Sequence, residues 1–350
     1  MSLPERAPLR AEQSGSRIEQ IGDWEVRVGP EVTLGADSNL EPFLQTSLDQ
    51  FVEAYNPPED QRYFFHSQFG LPSPIVRFDM PLEDGEVGGG IYEIESRPAG
   101  LAIVSHLQPE LLGAFRGSVE QIQGITGKQV AIKMLPYEQS SQNDPSGEKR
   151  MFADMLGVPF VEAGEQPEPD PDSLYLVYGN SSEAGDDVKA YEGQSLFPVR
   201  NDGDKSYLVT MGRATFPTPD MVDQALDANQ PFILKPGQGM WAQDFFPYVG
   251  SGNKAKGRVT ASKIRSLYRD QENDRLGEFI MQPFIPPGKI EFPGYEKPQN
   301  AMARVYAVAD LATGTYNVVG GMYVARDNLR LHGTSDATTG NIGNLGIRAA

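Results

Sequence analysis

A chain of 350 residues is long enough for two or three subdomains around substantial cores, and its net charge of −18 argues against a nucleic-acid or anionic-membrane surface. It does not argue against a nucleotide, because a nucleotide pocket needs only a few local cations. With no cysteine and only His66, His106 and His332, disulfides, thiolates and sulfur-bound metals are excluded, and any chemistry falls to carboxylates, lysines and arginines.

No segment has the apolar length of a membrane span, so no membrane partner is expected. The start, Met1-Ser2-Leu3-Pro4-Glu5-Arg6, has no apolar core and does not read as a secretory signal, which fits a cytoplasmic protein. Residues up to about Arg17 are polar and expected to be loose. A helix is predicted after Pro42, where Phe43, Leu44, Leu48, Phe51, Val52 and Tyr55 recur with helical spacing, and Pro57-Pro58 ends it.

Next come Ile75-Val76-Arg77-Phe78-Asp79-Met80 and Ile91-Tyr92-Glu93-Ile94-Glu95, two alternating segments. Alternate residues of a strand share a face, so Val76, Phe78 and Met80 point one way and Arg77 and Asp79 the other. On the return strand Tyr92 and Ile94 oppose Glu93 and Glu95. The intervening Asp84-Gly85 and Gly88-Gly89-Gly90 suit a hairpin loop. If the apolar faces coincide, three carboxylates and Arg77 cluster on the opposite face. Like charges facing one another on a sheet are destabilising, and a hard cation such as Mg²⁺ would relieve them. The alternative is a solvated hairpin face on which Arg77 neutralises one acid.

Further along, Val130 to Leu135 reads as a buried strand and Glu148 to Leu156 as a helix closed by Gly157. Glu162 to Asp172 mixes acids with Pro167, Pro169 and Pro171 and predicts an extended, exposed connector; Leu174 to Gly179 reads as another strand. The alternation of strands and helices predicts an α/β unit. Composition shifts near Thr218-Pro219, ahead of the strand Pro231-Phe232-Ile233-Leu234-Lys235-Pro236. The glycines and aromatics that follow, Gly237 to Trp241, suit either a phosphate-approaching loop or a turn after a buried strand.

Lys254, Lys256, Arg258, Lys263, Arg265 and Arg269 form a basic run, part of it readable as the wet face of a helix through Ile264, Leu267 and Tyr268. Gly277 to Pro286 reads as a strand and hinge. Ala301 to Val308 and Gly320 to Arg326 read as strands carrying Arg304 and Arg326. Arginines on neighbouring strands suit a polyphosphate, since guanidinium makes fixed bidentate contacts; a surface salt bridge is the alternative for each. No internal repeat is present.

The Arg77–Asp79 and Glu93–Glu95 hairpin resembles the divalent-metal hairpin of ATP-grasp ligases, and Pro231 to Gly239 resembles their nucleotide-gripping lysine strand. Gly277 to Pro286 is similar to their adenine-holding hinge, and the strands of Arg304 and Arg326 follow in family order. The hairpin precedes the lysine strand, the reverse of the usual order. That order resembles the circularly permuted branch that includes glutathionylspermidine synthase, in which R-x-D and E-x-N come first. Glu95 stands where that branch has Asn, which adds negative charge and a longer arm.

The resemblance implies an α/β protein with a circularly permuted ATP-grasp-like fold and an inserted α/β subdomain. Residues 1–60 would be an N-terminal segment with one helix, 61–110 the metal-binding hairpin region, 111–218 the insertion and 219–350 the nucleotide-gripping part. It implies an ADP-forming carboxylate–amine ligase that uses ATP and Mg²⁺ through an acylphosphate, with small-molecule acid and amine substrates. Asp79, Glu93 and Glu95 would hold Mg²⁺; Lys235, Arg304 and Arg326 would hold phosphates; Gln282 and Ile285 would lie at adenine; Arg77 would steady charge at the acyl centre. The alternatives are a non-catalytic nucleotide-binding or sensor protein and a small-molecule kinase on the same scaffold. The oligomeric state and the identities of the acid and amine are left open.

Overall fold

Among the described residues, strand-forming and helix-forming stretches assemble into one large mixed sheet, two three-stranded sheets and covering helices. The structure is a computed structural model, and it describes residues 9–10, 16–22, 24–33, 40–57, 59, 62–82, 90–135, 145–166, 168–178, 189–198, 205–237, 245–251, 258–269, 275–291, 295–329 and 338–343. In chain order the first elements are β1 (Leu9–Arg10), β2 (Arg17–Ile21), β3 (Trp24–Val28), β4 (Val32–Thr33), α1 (Leu40–Ala54), α2 (Phe64–Phe69), β5 (Ile75–Pro81) and β6 (Glu93–Glu95). The middle supplies α3 (Leu101–Leu107), α4 (Pro109–Thr126), β7 (Gln129–Met134), α5 (Pro145–Leu156), β8 (Phe160–Val161), β9 (Ser173–Tyr178) and α6 (Ser206–Thr210). The last third supplies α7 (Pro219–Asp227), β10 (Phe232–Pro236), β11 (Phe246–Tyr248) and α8 (Ala261–Arg265). It closes with β12 (Phe279–Pro283), β13 (Gly288–Glu291), β14 (Gln299–Asp310), β15 (Thr315–Arg326) and β16 (Thr338–Gly343).

The large sheet runs β1-β13-β14-β15-β16-β3-β2 among the described residues, with β5 joined to β14 and β6, and β4 to β16. The twelve-residue β14 lies antiparallel to β15 on one edge; its other edge takes β5, from Met302↔Pro81 to Val308↔Ile75. That placement buries all seven residues of β5. Val76, Phe78 and Met80 enter the main core, and Arg77 and Asp79 on the opposite face are buried as well. Gly288 starts β13 where a Cβ would overlap the Leu82 carbonyl oxygen, so only glycine lets β13 pass the end of β5.

The lysine strand β10 is the centre of a separate antiparallel sheet, β11-β10-β12. Phe232 and Leu234 pack with Phe246, Tyr248 and Phe279 in a core of its own. Ile233 and Lys235, on the opposite face, share their side with Ile280 and Gln282 through the register Ile233↔Gln282 and Lys235↔Ile280. Ile280 belongs to the main core, so this face meets the large sheet. The third sheet, β8-β7-β9, is parallel, and both of its faces are covered, as parallel sheets require.

Several element boundaries differ from those expected. The helix placed after Pro42 starts at Leu40; Pro42 sits in its first turn, where backbone N–H groups have no intrahelical acceptor and proline is tolerated. Helix α5 starts at Pro145 rather than Glu148, for the same reason. The connector after Glu162 closes turns, Glu165 to Glu162 and Ser173 to Asp170, instead of running extended. Buried Lys133 organises the first by donating to the carbonyls of Glu162, at 2.9 Å, and Glu165. The polar start includes β1, paired in parallel with β13. Asp84, Gly85, Gly88, Gly89, Gly179, Gln238 to Trp241, Lys254, Lys256 and His332 lie outside the described residues, as do Met1 to Arg6, Pro58 and Pro167. Among the described residues, no helix is long and apolar enough to cross a membrane.

Candidate functional site

The two strands of the hairpin pair in the register Arg77↔Glu95, Phe78↔Ile94 and Asp79↔Glu93, which puts Arg77, Asp79, Glu93 and Glu95 on one face. Arg77 donates to both oxygens of Asp79, at 2.6 and 2.8 Å, and to Glu95 Oε1 at 2.5 Å. One carboxylate oxygen from each of Asp79, Glu93 and Glu95 can be chosen so that all lie within 4.8 Å of one another. In an octahedral Mg²⁺ shell with ligands at about 2.1 Å, oxygens lie roughly 3 to 4 Å apart, so the three need close only slightly around an ion. The donor set is all carboxylate oxygen, which suits that hard cation. Asp79 is buried, and Glu93 and Glu95 are partly exposed, with side chains at 29% and 30%.

Two lysines and an arginine converge on the same cluster. Lys235 reaches out of the small sheet and donates to the backbone carbonyl of Tyr92 in the hairpin, 143 residues away in sequence. Lys205 Nζ lies 3.2 Å from Glu93 Oε1, and its backbone N–H donates to Gly237 O at 2.7 Å, so the exit of β10 holds it in place. Arg304 sits opposite Asp79 in the β14–β5 register, with Nε 3.8 Å from Asp79 Oδ1; that Nε is buried and makes no hydrogen bond among the described residues. A buried donor left without a partner is costly, and a bound anion would supply one.

The charges set one another's titration. Burial pushes Glu93 upward, but Lys205, Lys235 and Arg77 outweigh it and hold the carboxyl below its ordinary range. Glu95 goes the other way: burial, with the charges of Asp79 and Glu93, raises it to about 7 against Arg77 and Arg304. The negative charge that Glu95 adds relative to asparagine is thus partly cancelled near neutral pH by a proton. Burial also lowers Lys235 to about 8, helped by Lys205 and opposed by Glu93 and Asp79. Arg304 is lowered by burial and by Arg77.

The structure therefore brings Arg77, Asp79, Glu93, Glu95, Lys235 and Arg304 into one cluster. Gln282 borders it from β12, donating through Nε2 to Ile91 O at 2.7 Å, while its buried Oε1 has no partner among the described residues. Ile285 lies against the hairpin at Gly90, whose φ of +131° and lack of a side chain permit the contact; a Cβ there would come within 2.5 Å of Ile285 Cδ1. Arg326 is not at the cluster's centre. It shares the face of Arg304, because Arg304 pairs with Met322 and Arg326 follows by an even number, but it lies about 13 Å further along the strand.

Sequence reading missed Lys205 and Tyr207. Tyr207 donates to Ile94 O and accepts from Ile94 N–H, both at 2.7 Å, serving the outer edge of β6 where another strand would otherwise pair. Neither residue carries a local signal, since each acts on a strand more than 100 residues away. Arg97 did carry one, continuing the alternation of Glu93 and Glu95; it is buried, and burial lowers its guanidinium to about 10. The basic run splits: Arg265 pairs with Asp223 and Asp227 on the surface while Ile264 and Leu267 are buried beneath it.

No protein-family model matches this chain, and no curated protein matches it. Among solved structures it is similar in outline to a glutathione synthetase like-effector from Globodera pallida in apo form, at 11% identity, 93% of this chain, 92% of that chain and a TM-score of 0.46. It is likewise similar to a protein from Methylobacillus flagellatus KT assigned as a gamma-glutamylcysteine synthetase, at 12% identity, 88% of this chain, 84% of that chain and a TM-score of 0.45. At scores this low the likeness carries no argument, and the functional reading rests on the residues themselves.

Proposed function

We propose that the protein is an ATP-dependent, ADP-forming ligase that joins a small-molecule carboxylate to an amine, on a circularly permuted ATP-grasp-like fold. On this reading the hairpin region 61–110 and the segment 219–350 form the nucleotide domain, with 111–218 inserted between them. The observation that carries it is one cluster built from distant segments: three carboxylates within 4.8 Å, two buried lysines, and a buried arginine with an unmade hydrogen bond. Acids that gather a divalent ion next to cations that gather phosphates make a Mg–nucleotide site.

Asp79, Glu93 and Glu95 would hold Mg²⁺, which when bound supplies charge neutralisation at the β- and γ-phosphates. Lys235 and Lys205 hold phosphate oxygens and keep them oriented, and Arg304 adds a fixed donor; Arg326 meets the same triphosphate or its product at the margin. Gln282 and Ile285 line the adenine side. In the first step an oxygen of the substrate carboxylate attacks the γ-phosphorus, the bond to the β–γ bridging oxygen breaks, and ADP leaves with that electron pair. In the second, the amine nitrogen attacks the acyl carbon, the C–O bond to phosphate breaks, inorganic phosphate departs and the nitrogen loses a proton. Arg77 steadies the negative charge that gathers on the acyl oxygen. The protein's contribution is mainly positioning and charge stabilisation in a partly dry site.

One observation favours a second reading, a nucleotide-binding protein without turnover: Arg77 already engages two of the three carboxylates and Lys205 the third. Hydroxylamine, an amine that traps any acylphosphate as a hydroxamate, separates the readings. With ATP, Mg²⁺ and a panel of carboxylic acids, a ligase releases ADP and forms hydroxamate only when the correct acid is present. ADP release that needs a hydroxyl compound instead identifies a kinase. ATP·Mg binding with neither product leaves the binding protein.

A further inference from the structure

The strand β2 ends the large sheet on one side, and among the described residues it pairs only with β3. The register from Arg17↔Val28 to Ile21↔Trp24 fixes which backbone groups face outward. Gly29 N–H donates to Thr339 O on β16 at 2.6 Å, so alternation along β3 turns Arg27 toward β16 and both Val26 and Val28 toward β2. Their partners Glu19 and Arg17 direct their backbone groups to β3, while Ile18 and Gln20 present theirs to the open edge. The side chains divide in the same rhythm. Arg17 and Glu19 share the face of buried Ile21 and pair, with Nε 2.6 Å from Oε1. Ile18 points the other way, opposite Arg27 of β3, and is 55% exposed.

An open edge is ordinarily guarded by charge, proline or a bulge, because its N–H and C=O groups can pair with another chain. β2 contains no proline, its register with β3 is uninterrupted, and its two charges, one of each sign, flank Ile18. That placement is self-complementary. A two-fold axis through Ile18 sets it against the partner's Ile18, Arg17 against the partner's Glu19, and Glu19 against the partner's Arg17. The backbone allows the same register: outward-facing Ile18 exchanges both hydrogen bonds with its counterpart, and Gln20 meets the partner's Ser16. An axis through Glu19 would oppose two acids and face inward-directed backbone groups to the partner. One through Gln20 would set Glu19 against the partner's Ile21. We infer that β2 is a homodimer interface, at which a second copy of this chain adds its own β2 antiparallel across an axis at Ile18. On one face four charges alternate in sign around the axis, and on the other the two Ile18 side chains cover each other. Exposed ion pairs add little affinity, so the charges select the register while backbone bonds and the apolar pair hold it. The strands β15, β16 and β3 separate β2 from β14, so the inference stands apart from the ligase reading.

The test is sedimentation velocity of the full chain over a concentration series, with circular dichroism as the check on folding. Wild type forms a reversible dimer. Ile18→Pro removes an N–H that β3 does not use, so the chain stays folded while association weakens roughly tenfold or more. Arg17→Glu opposes two acids at each end of the register and weakens association several-fold, and Arg17→Glu combined with Glu19→Arg restores it. That restoration carries the test if Ile18→Pro does not fold. Three results overturn the interface: wild type that stays monomeric throughout, a dimer indifferent to both Ile18→Pro and Arg17→Glu, or a double variant that associates no more tightly than Arg17→Glu alone.

Discussion

In the hairpin, Arg77 meets both oxygens of Asp79 at 2.6 and 2.8 Å, with the two side chains 4% and 8% exposed; on the small sheet's flank, Arg265 meets Asp223 and Asp227 at 2.7 Å each, with Asp227 74% exposed. The bond lengths barely differ, but the surroundings do. Water screens the surface cluster and hydrates either partner if the other is removed, so the pairing adds little. Arg77 and Asp79 have lost that water, and each is tolerable only while the other remains, whereas Glu93 and Glu95 are still partly exposed. Burial also crowds the hairpin, setting three carboxylates on a single face against Arg77, Arg304, Lys205 and Lys235. The surface cluster is satisfied as it stands, whereas the buried one leaves Arg304 Nε without a hydrogen bond among the described residues.

The largest expected effect breaks the buried cluster from within. Arg77→Met leaves Asp79 and Glu95 without their principal donor and should lower unfolding stability by about 3–5 kcal/mol in urea titration. Added Mg²⁺ should recover part of that loss; a loss that Mg²⁺ does not touch would show that the acids hold no ion. Next in size is Lys235→Ala, which removes a charge-assisted phosphate contact and should weaken ATP·Mg binding roughly ten- to a hundredfold by calorimetry. An unchanged affinity would remove Lys235 from the phosphate site.

A pH series sharpens the contrast further. Burial lowers Lys235 to about 8, so it is charged below that pH and loses its proton above it. Phosphate binds the charged form, so binding above pH 8 must recruit a proton. Glu95, raised to about 7, must lose its proton to hold Mg²⁺, so affinity for ATP·Mg should climb through pH 7. As Lys235 loses its proton, affinity should then fall by up to about tenfold per pH unit above 8. A flat profile through pH 9.5 would contradict that lysine's role. The smallest effect belongs to the surface: Arg265→Ala should leave both melting temperature and nucleotide affinity unresolved from wild type, and a clear shift in either would overturn the contrast between the clusters.

Much of the fold was legible from local pattern. Alternation in Arg77-Phe78-Asp79 and Glu93-Ile94-Glu95 placed four charged groups on one face, and the register pairs them as alternation requires. The strand of Lys235 and the strands of Arg304 and Arg326 also follow from apolar runs of strand length. Two helices were placed late, after Pro42 and at Glu148, whereas they start at Leu40 and Pro145, with each proline within the tolerant first turn. The connector after Glu162 escaped because its turns depend on Lys133, which arrives from another strand.

The sequence by itself determined which residues share a face, because strand periodicity is a property of the backbone and needs no partner. Only tertiary structure decided that the charged face of the hairpin would be buried, since that required β14 beside β5 and the small sheet's Lys235 and Gln282 against the hairpin. It alone brought in Lys205, Tyr207 and the Arg97–Tyr178 neighbourhood, whose partners lie far away along the chain. Local pattern sets the direction of a side chain, whereas the dielectric around it and the charges it meets depend on what packs above, and that information is spread over the whole sequence.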